Sequence, residues 1–221
     1  MSPTDRKMKT REPAPETRGE TIRWAHLYDP VVRLALLGQD KALRKTTAEM
    51  AQIKPGDRVL DVGCGTGDLT IAAKARAGST GKVFGIDAAP EMIEAALAKA
   101  ARAGLNIEFR VGLIESLPFP NDYFDVVLSS LMMHHLPDDL KRKGLTEIYR
   151  ALKPGGHLIV VDMNRPTALP IQILTAFLVH EKMDTGAQDL PSMMKEAGFS
   201  QIESKNTWFG LLGFVRGEVQ K

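Results

Sequence analysis

The sequence predicts an α/β fold with a doubly wound, mostly parallel sheet, and three observations carry that prediction. Short aliphatic runs alternate with Ala-rich helical stretches from Arg58 to Asp162. The first of those runs delivers its carboxyl end into a cluster of glycines, the place where α/β sheets bind ligands. The last stretch of chain breaks the alternation: Gln201 to Trp208 and Phe214 to Gln220 flank the turn-like Gly210 and Gly213, which predicts a hairpin and one antiparallel strand near the carboxyl terminus.

The elements follow in order. Residues 1–20 are rich in charge, Pro and Thr and read as a flexible arm without the apolar core of a secretory signal. Residues 21–221 read as one domain. Residues 21–50 have a helical pattern, with Leu34, Leu37 and Leu43 among Arg, Lys and Glu, broken into short helices by Asp29-Pro30 and Gly38. Arg58 to Val62 is a strand, Leu69 to Ala77 a helix, Lys82 to Asp87 a strand, and Pro90 to Ala103 a helix with Pro in its first turn and Gly104 at its stop. Ile107 to Val111 and Phe124 to Ser129 are the third and fourth strands. Leu140 to Leu152 is a helix closed by Lys153-Pro154-Gly155-Gly156, and His157 to Asp162 is a fifth strand of nearly continuous aliphatics, as a sheet covered on both faces requires. An apolar stretch from Leu169 to Val179 precedes a helix around Leu190 to Ala197.

Composition narrows the function classes. The chain has 221 residues, with 29 basic and 27 acidic side chains mixed along its length, so it lacks the one-sided field expected of a nucleic-acid binder. Cys64 is the only cysteine, which excludes an intramolecular disulfide and a multi-thiolate metal site. No apolar run approaches the roughly 18 residues of a transmembrane helix. A cytoplasmic protein is expected.

The most informative stretch is Val59-Leu60-Asp61-Val62-Gly63-Cys64-Gly65-Thr66-Gly67. Its spacing is G-x-G-x-G, and Asp68 stands where the third glycine of a dinucleotide fingerprint would fall, which sets a nicotinamide-dependent oxidoreductase below other readings. Asp61 and Asp68 suit a ligand with cationic groups better than a pyrophosphate. Asp87, about 20 residues beyond the loop at the end of the second strand, can accept hydrogen bonds from both hydroxyls of a ribose or cap the helix that starts near Pro90.

With the run Leu117-Pro118-Phe119-Pro120, Phe124-Asp125, His134-His135-Leu136 and Leu152-Lys153-Pro154-Gly155-Gly156, these residues resemble the class I S-adenosylmethionine-dependent methyltransferases. The resemblance runs from about Tyr28 to the carboxyl terminus and is strongest to the branch that includes the ubiquinone/menaquinone-biosynthesis enzymes. It implies a Rossmann-like, seven-stranded sheet and S-adenosyl-L-methionine as cofactor. It further implies that Gly63, Gly65 and Gly67 line the methionyl part, Asp87 holds the ribose, Ala88 and Met92 flank the adenine, and Tyr28, Asp61, Gly112, Leu113, Ile114 and Ser129 supply further contacts. At Leu113 the sequence departs from the Gly-Asp usual in relatives, so either Glu115 or backbone at Ile114 meets the adenine amino group. The fifth-strand end Val160-Val161-Asp162-Met163 also departs from the quinone branch.

Methyl transfer from a sulfonium is an in-line displacement that a protein accelerates largely by alignment and exclusion of water. His134 or His135 is the candidate general base, with a packing or capping role as the alternative. Cys64 reads as a packing residue. The expected acceptor is a small apolar molecule, because Trp24 to Tyr28 and residues 163–184 are apolar enough to form two lids over a pocket. The same segments alternatively complete the core or join two copies in a homodimer. A cofactor-binding protein without turnover is the remaining alternative.

Overall fold

Aliphatic side chains on both sides of the same strand explain why this sheet is parallel and central. In the computed structural model, which describes residues 14–165, 185–207 and 211–221, Leu60 and Val62 of one strand face one helical layer while Val59 faces the other. Two short helices, α1 (Ala25–Ala35) and α2 (Asp40–Met50), precede the alternating units. These units are β1 (Arg58–Val62), α3 (Asp68–Ala77), β2 (Lys82–Asp87), α4 (Pro90–Arg102), β3 (Glu108–Val111), β4 (Phe124–Ser130), α5 (Asp138–Ala151) and β5 (Leu152–Met163). A short α6 (Leu190–Glu196) and the strands β6 (Ser200–Thr207) and β7 (Leu212–Glu218) complete the described chain.

The seven strands lie in the order β3-β2-β1-β4-β5-β7-β6. β1 through β5 pair in parallel, and β7 runs antiparallel to both β5 and β6. The chain therefore leaves β1 toward one edge of the sheet and returns to its other side at β4. A crevice opens at the carboxyl ends of those two strands, where doubly wound sheets take their ligands. In the layer with α5, Phe84 and Phe124 pack edge to face with each other and with Phe119 and Tyr123, which stack on one another; Phe119 and Phe124 centroids are 4.9 Å apart. The opposite layer is tighter, built from Ala73, Ala77, Ala96 and Ala100 of α3 and α4 against Val59, Val83 and Val126.

Three expectations need correction. Asp29-Pro30 does not break the first helix: Pro30 lies inside α1. Its missing N–H costs one backbone bond, and tertiary contacts hold the turn: Thr66 Oγ1 donates to Asp29 at 2.6 Å, and Lys99 Nζ lies 2.6 Å from both Asp29 and Asp68. Lys153 to Gly156 is not only a helix stop but part of β5, because the chain end pairs with it; Gly155 N–H donates to Val219 at 2.8 Å and Val219 N–H to Gly156 at 2.9 Å. The arm expected through Glu20 is docked from Thr17 onward, by contacts given below. The apolar stretch 169–179, all but three residues of the lid expected at 163–184, and Trp208 lie outside the described residues.

Candidate active site

The loop Gly63 to Gly67 carries the chain from β1 into α3, and its glycines have φ of 69°, 52° and 85° at 63, 65 and 67. Their reasons differ. A Cβ at Gly63 would stand 2.2 Å from Met132 Cγ, on the turn after β4, and one at Gly65 would stand 3.5 Å from the Tyr28 ring. Both therefore face the crevice. A Cβ at Gly67 would meet Ala96 at 3.0 Å and Phe109 at 3.2 Å, so this glycine lets α3 and α4 approach rather than facing a ligand.

The crevice is an open cleft walled by Tyr28, Gly63, Gly65, Asp87, Ala88, Met92, Gly112, Leu113, Ile114 and His135. Asp87 lines it at the end of β2. One of its carboxylate oxygens accepts Gly65 N–H and the other Ala89 N–H, each at 2.9 Å. Capping the α4 entrance and facing the cleft thus coexist. Burial holds the Asp87 carboxyl above its usual range against the pull of those two N–H groups.

Asp61, Gly67, Ser129 and His134 are not part of that wall. Asp61 borders a smaller recess that shares Tyr28 and Gly63 with the cleft and adds Arg44, Thr66, Asp68 and Ser130. Thr70 Oγ1 donates to Asp61 at 2.6 Å. Burial pushes the Asp61 carboxyl up to about 6, against the Thr70 hydrogen bond and the Arg44 charge, with Asp87 adding repulsion. Asp68, expected to favour a cationic ligand, is already paired with Lys99. Ser129 is fully buried, and its Oγ has no hydrogen-bond partner among the described residues. Cys64 is buried, and burial pushes its thiol well up, as expected of a packing residue.

The far side of the cleft is lined by a strap, residues 17–22, four of whose residues belonged to the expected arm. Thr17 Oγ1 donates to Glu115 at 3.0 Å, Arg18 pairs with Asp139, and Glu20 N–H donates to the His135 carbonyl at 3.0 Å. Polar side chains in this segment find fixed partners on the domain, and composition alone does not reveal such pairings.

The two histidines occupy different places, with ring centroids 4.0 Å apart. His134 Nδ1 lies 2.5 Å from Asp162, whose other oxygen accepts His134 N–H at 3.2 Å. Burial raises the Asp162 carboxyl, but the His134 charge and the hydrogen bonds outweigh it and hold the group below its usual range. His135 lines the cleft with Glu20 3.5 Å from its Nδ1, and burial followed by the His134 charge pushes its imidazole down to about 4. Leu131, at the start of this turn and on the cleft wall, has φ of 55°, a left-handed conformation uncommon for a branched side chain.

Comparison with known proteins decides the family. Residues 59–156 match the family described as a methyltransferase domain. The ubiquinone/menaquinone biosynthesis C-methyltransferase UbiE of Vibrio campbellii is 31% identical over 215 residues, covering 86% of this chain and 82% of the relative. The chain belongs to the class I S-adenosylmethionine-dependent methyltransferases. A methyltransferase of that dependence from Aquifex aeolicus superposes with a TM-score of 0.66 at 22% identity, covering 80% of this chain and 89% of that one. The [4+2]-cyclase SpnF superposes equally well, with a TM-score of 0.67 at 19% identity and coverage of 81% and 80%, so the architecture by itself does not specify the reaction.

The methyltransferase's cleft fits its cofactor on physical grounds. Gly63 and Gly65 hold left-handed backbone against the cleft without a Cβ, and a buried carboxylate with spare lone pairs, Asp87, lines it. An apolar floor of Ala88, Met92 and Ile114 suits a flat base. Two residues escaped the sequence reading. Arg44 reaches Ser130 Oγ at 2.5 Å from α2, and nothing in the sequence separates it from the neighbouring surface cations. Asp162 carried a signal, an acid ending a run of buried aliphatics, where only a partnered charge is tolerated.

Proposed function

We propose that this methyltransferase moves a methyl group to a small apolar acceptor, and that alignment inside a water-poor cleft supplies most of the acceleration. Bound S-adenosylmethionine supplies the reactive methyl on its sulfonium. In this reading Asp87 accepts the ribose hydroxyls, Ala88, Met92 and Ile114 hold the adenine, and Leu113 leaves recognition of the base to backbone. Glu115 serves the strap instead, since its carboxylate receives Thr17. Gly63 and Gly65 admit the methionyl part, with Arg44 placed for its carboxylate and Asp61 for its ammonium. The wall formed by Leu131, Met132 and Leu136 with Ile22 of the strap is the observation that carries the apolar acceptor. The relative UbiE, a ubiquinone/menaquinone biosynthesis C-methyltransferase, accords with it.

His135, neutral above about pH 4, is free of charge throughout the physiological range and can take up an acceptor proton. A base that weak contributes little to proton abstraction, so its main part is to shape the wall. His134 acts indirectly, by fixing the turn. The reading leaves nucleic acid out, since 29 basic and 27 acidic side chains are mixed along the chain without a one-sided basic field. A cytoplasmic setting accords with the buried free thiol, and no helix among the described residues is long and apolar enough to cross a membrane.

Two tests follow. Incubating the protein with methyl-labelled S-adenosylmethionine and a cell extract should move label into organic-extractable material; label confined to polar compounds would refute the apolar acceptor. The second uses pH. The native Asp61 pKa of about 6 lies above that of an unfolded aspartate, so the native state keeps a proton the unfolded chain releases. Stability contributed by that group is lost as pH rises from about 4 to 6, at most about 3 kcal/mol. An ammonium beside Asp61 favours the ionised form, so cofactor affinity should rise about tenfold from pH 5 to pH 7 and then level. Calorimetry of the parent and Asp61→Asn checks this: the variant should show a flat profile.

A further inference from the structure

We propose that α5 sets the shape of the cleft at its adenine end, with Gly144 as a positioning residue that acts through Ile114. Gly144 is the only glycine inside an α-helix among the described residues. A helix interior disfavours glycine, because glycine has more backbone freedom to lose than alanine. The backbone gives no reason for it here, since Gly144 does not have a positive φ. The reason is steric. A Cβ at position 144 would stand 2.5 Å from Cγ1, 2.6 Å from Cδ1 and 3.3 Å from Cγ2 of Ile114, so its three nearest neighbours all belong to one side chain. Ile114 is buried and lines the cleft. It also belongs to the close-packed core layer, which gives way less readily than the open cleft. A methyl group at 144 therefore drives Ile114 toward the bound cofactor.

The same helix holds the rest of the connection between β3 and β4. Glu147 accepts Leu117 N–H at 3.0 Å, and Arg150 donates to the carbonyls of Leu117 at 3.2 Å and Phe119 at 2.9 Å and to the Asn121 side chain at 2.8 Å. Two hydrogen bonds, at 2.8 and 2.9 Å, join Arg150 to Glu147 and fix both side chains. Asp122 N–H and Tyr123 N–H then end on the carbonyls of Arg150 and Ala151. Residues 144, 147 and 151 follow the i, i+3, i+7 spacing of one helix face, and Arg150 lies beside it. That face is a template for the loop. Glu147 and Arg150 hold it by hydrogen bonds, and Gly144 holds it by shape. Neither Gly144 nor Glu147 lines the cleft, so both act through the loop residues they place.

The proposal rests on the reading of this cleft as the cofactor site, with the adenine against Ile114. Calorimetry of the full chain tests it with two ligands, S-adenosylhomocysteine and 5′-methylthioadenosine, which keeps the adenine and ribose but lacks the amino-acid end. Gly144→Ala should weaken both by the same factor, about tenfold or more. In an Ile114→Ala background, whose shorter side chain vacates the space, adding Gly144→Ala should cost no further affinity and should not lower the thermal midpoint. If Gly144→Ala alone does not fold, Glu147 carries the test: Glu147→Ala strands Leu117 N–H and should weaken both ligands, while Glu147→Gln keeps an acceptor and should bind nearly as the parent does. Unchanged affinity in the Gly144→Ala or Glu147→Ala variant, beside a loss in Asp87→Ala, would overturn the proposal and leave the cofactor reading standing. Unchanged affinity in Asp87→Ala as well would overturn both. A loss that spares 5′-methylthioadenosine would place the disturbance at the amino-acid end and also overturn the proposal, as would a loss that Ile114→Ala does not relieve.

Discussion

Asp87→Ala is expected to weaken S-adenosylhomocysteine binding by about a hundredfold or more while leaving the sheet intact. Two charge-assisted hydrogen bonds to the ribose, at about 1.5 kcal/mol or more each, account for a loss of that size. A further cost comes from the protein itself. Gly65 N–H and Ala89 N–H both end on this carboxylate, so alanine releases the glycine loop and the entrance of α4 together. Asp87→Asn separates the two contributions: its amide oxygen can still take one N–H, so it should fall between the parent and alanine. Isothermal calorimetry measures all three. Equal affinities in the parent and Asp87→Ala would remove the ribose from this position.

Asp162→Ala should carry the largest stability effect. The side chain is 1% exposed and receives His134 through ring and backbone and Met163 N–H at 2.7 Å. Breaking a buried, hydrogen-bonded charge pair from one side costs about 3–5 kcal/mol, or about 10 °C of thermal midpoint in a chain of this length. Because the native Asp162 carboxyl is held below its usual range, its contribution is present above the unfolded pKa near 4 and fades as pH falls through the native one. The deficit of the variant should therefore be full at pH 7 and shrink in acid, as thermal denaturation across pH will show. Loss of the pair also frees the turn that places Leu131, Met132 and His135 on the cleft wall, so cofactor affinity should decline with it.

Particular residues show which parts of the molecule were legible in the sequence. β1 and β2 were readable to the residue because a strand buried on both faces has to be an aliphatic run, and because Gly63 and Asp87 punctuate the two runs. Asp87 itself could be placed because its spacing from the glycine loop is fixed by one helix and one strand. Pro30 misled because a local rule was overridden by Asp29's bonds to Thr66 and Lys99, side chains far away in sequence. The strap shows the same limit. Thr17, Arg18 and Glu20 look like solvated polar residues, and only the folded domain supplies Glu115, Asp139 and His135 as their partners. His134 and His135 are neighbours in sequence with equal claims as a base; the turn after β4 gives one to Asp162 and the other to the cleft.

The most direct measurement is a crystal structure of the full chain grown with S-adenosylhomocysteine. The ligand should lie across the carboxyl ends of β1 and β2, with its ribose hydroxyls on Asp87, its base beside Met92 and Ile114, and its amino-acid end toward Asp61 and Arg44. Density for the nucleoside anywhere else, or a cleft that stays empty when the ligand is known to bind in solution, would contradict the account.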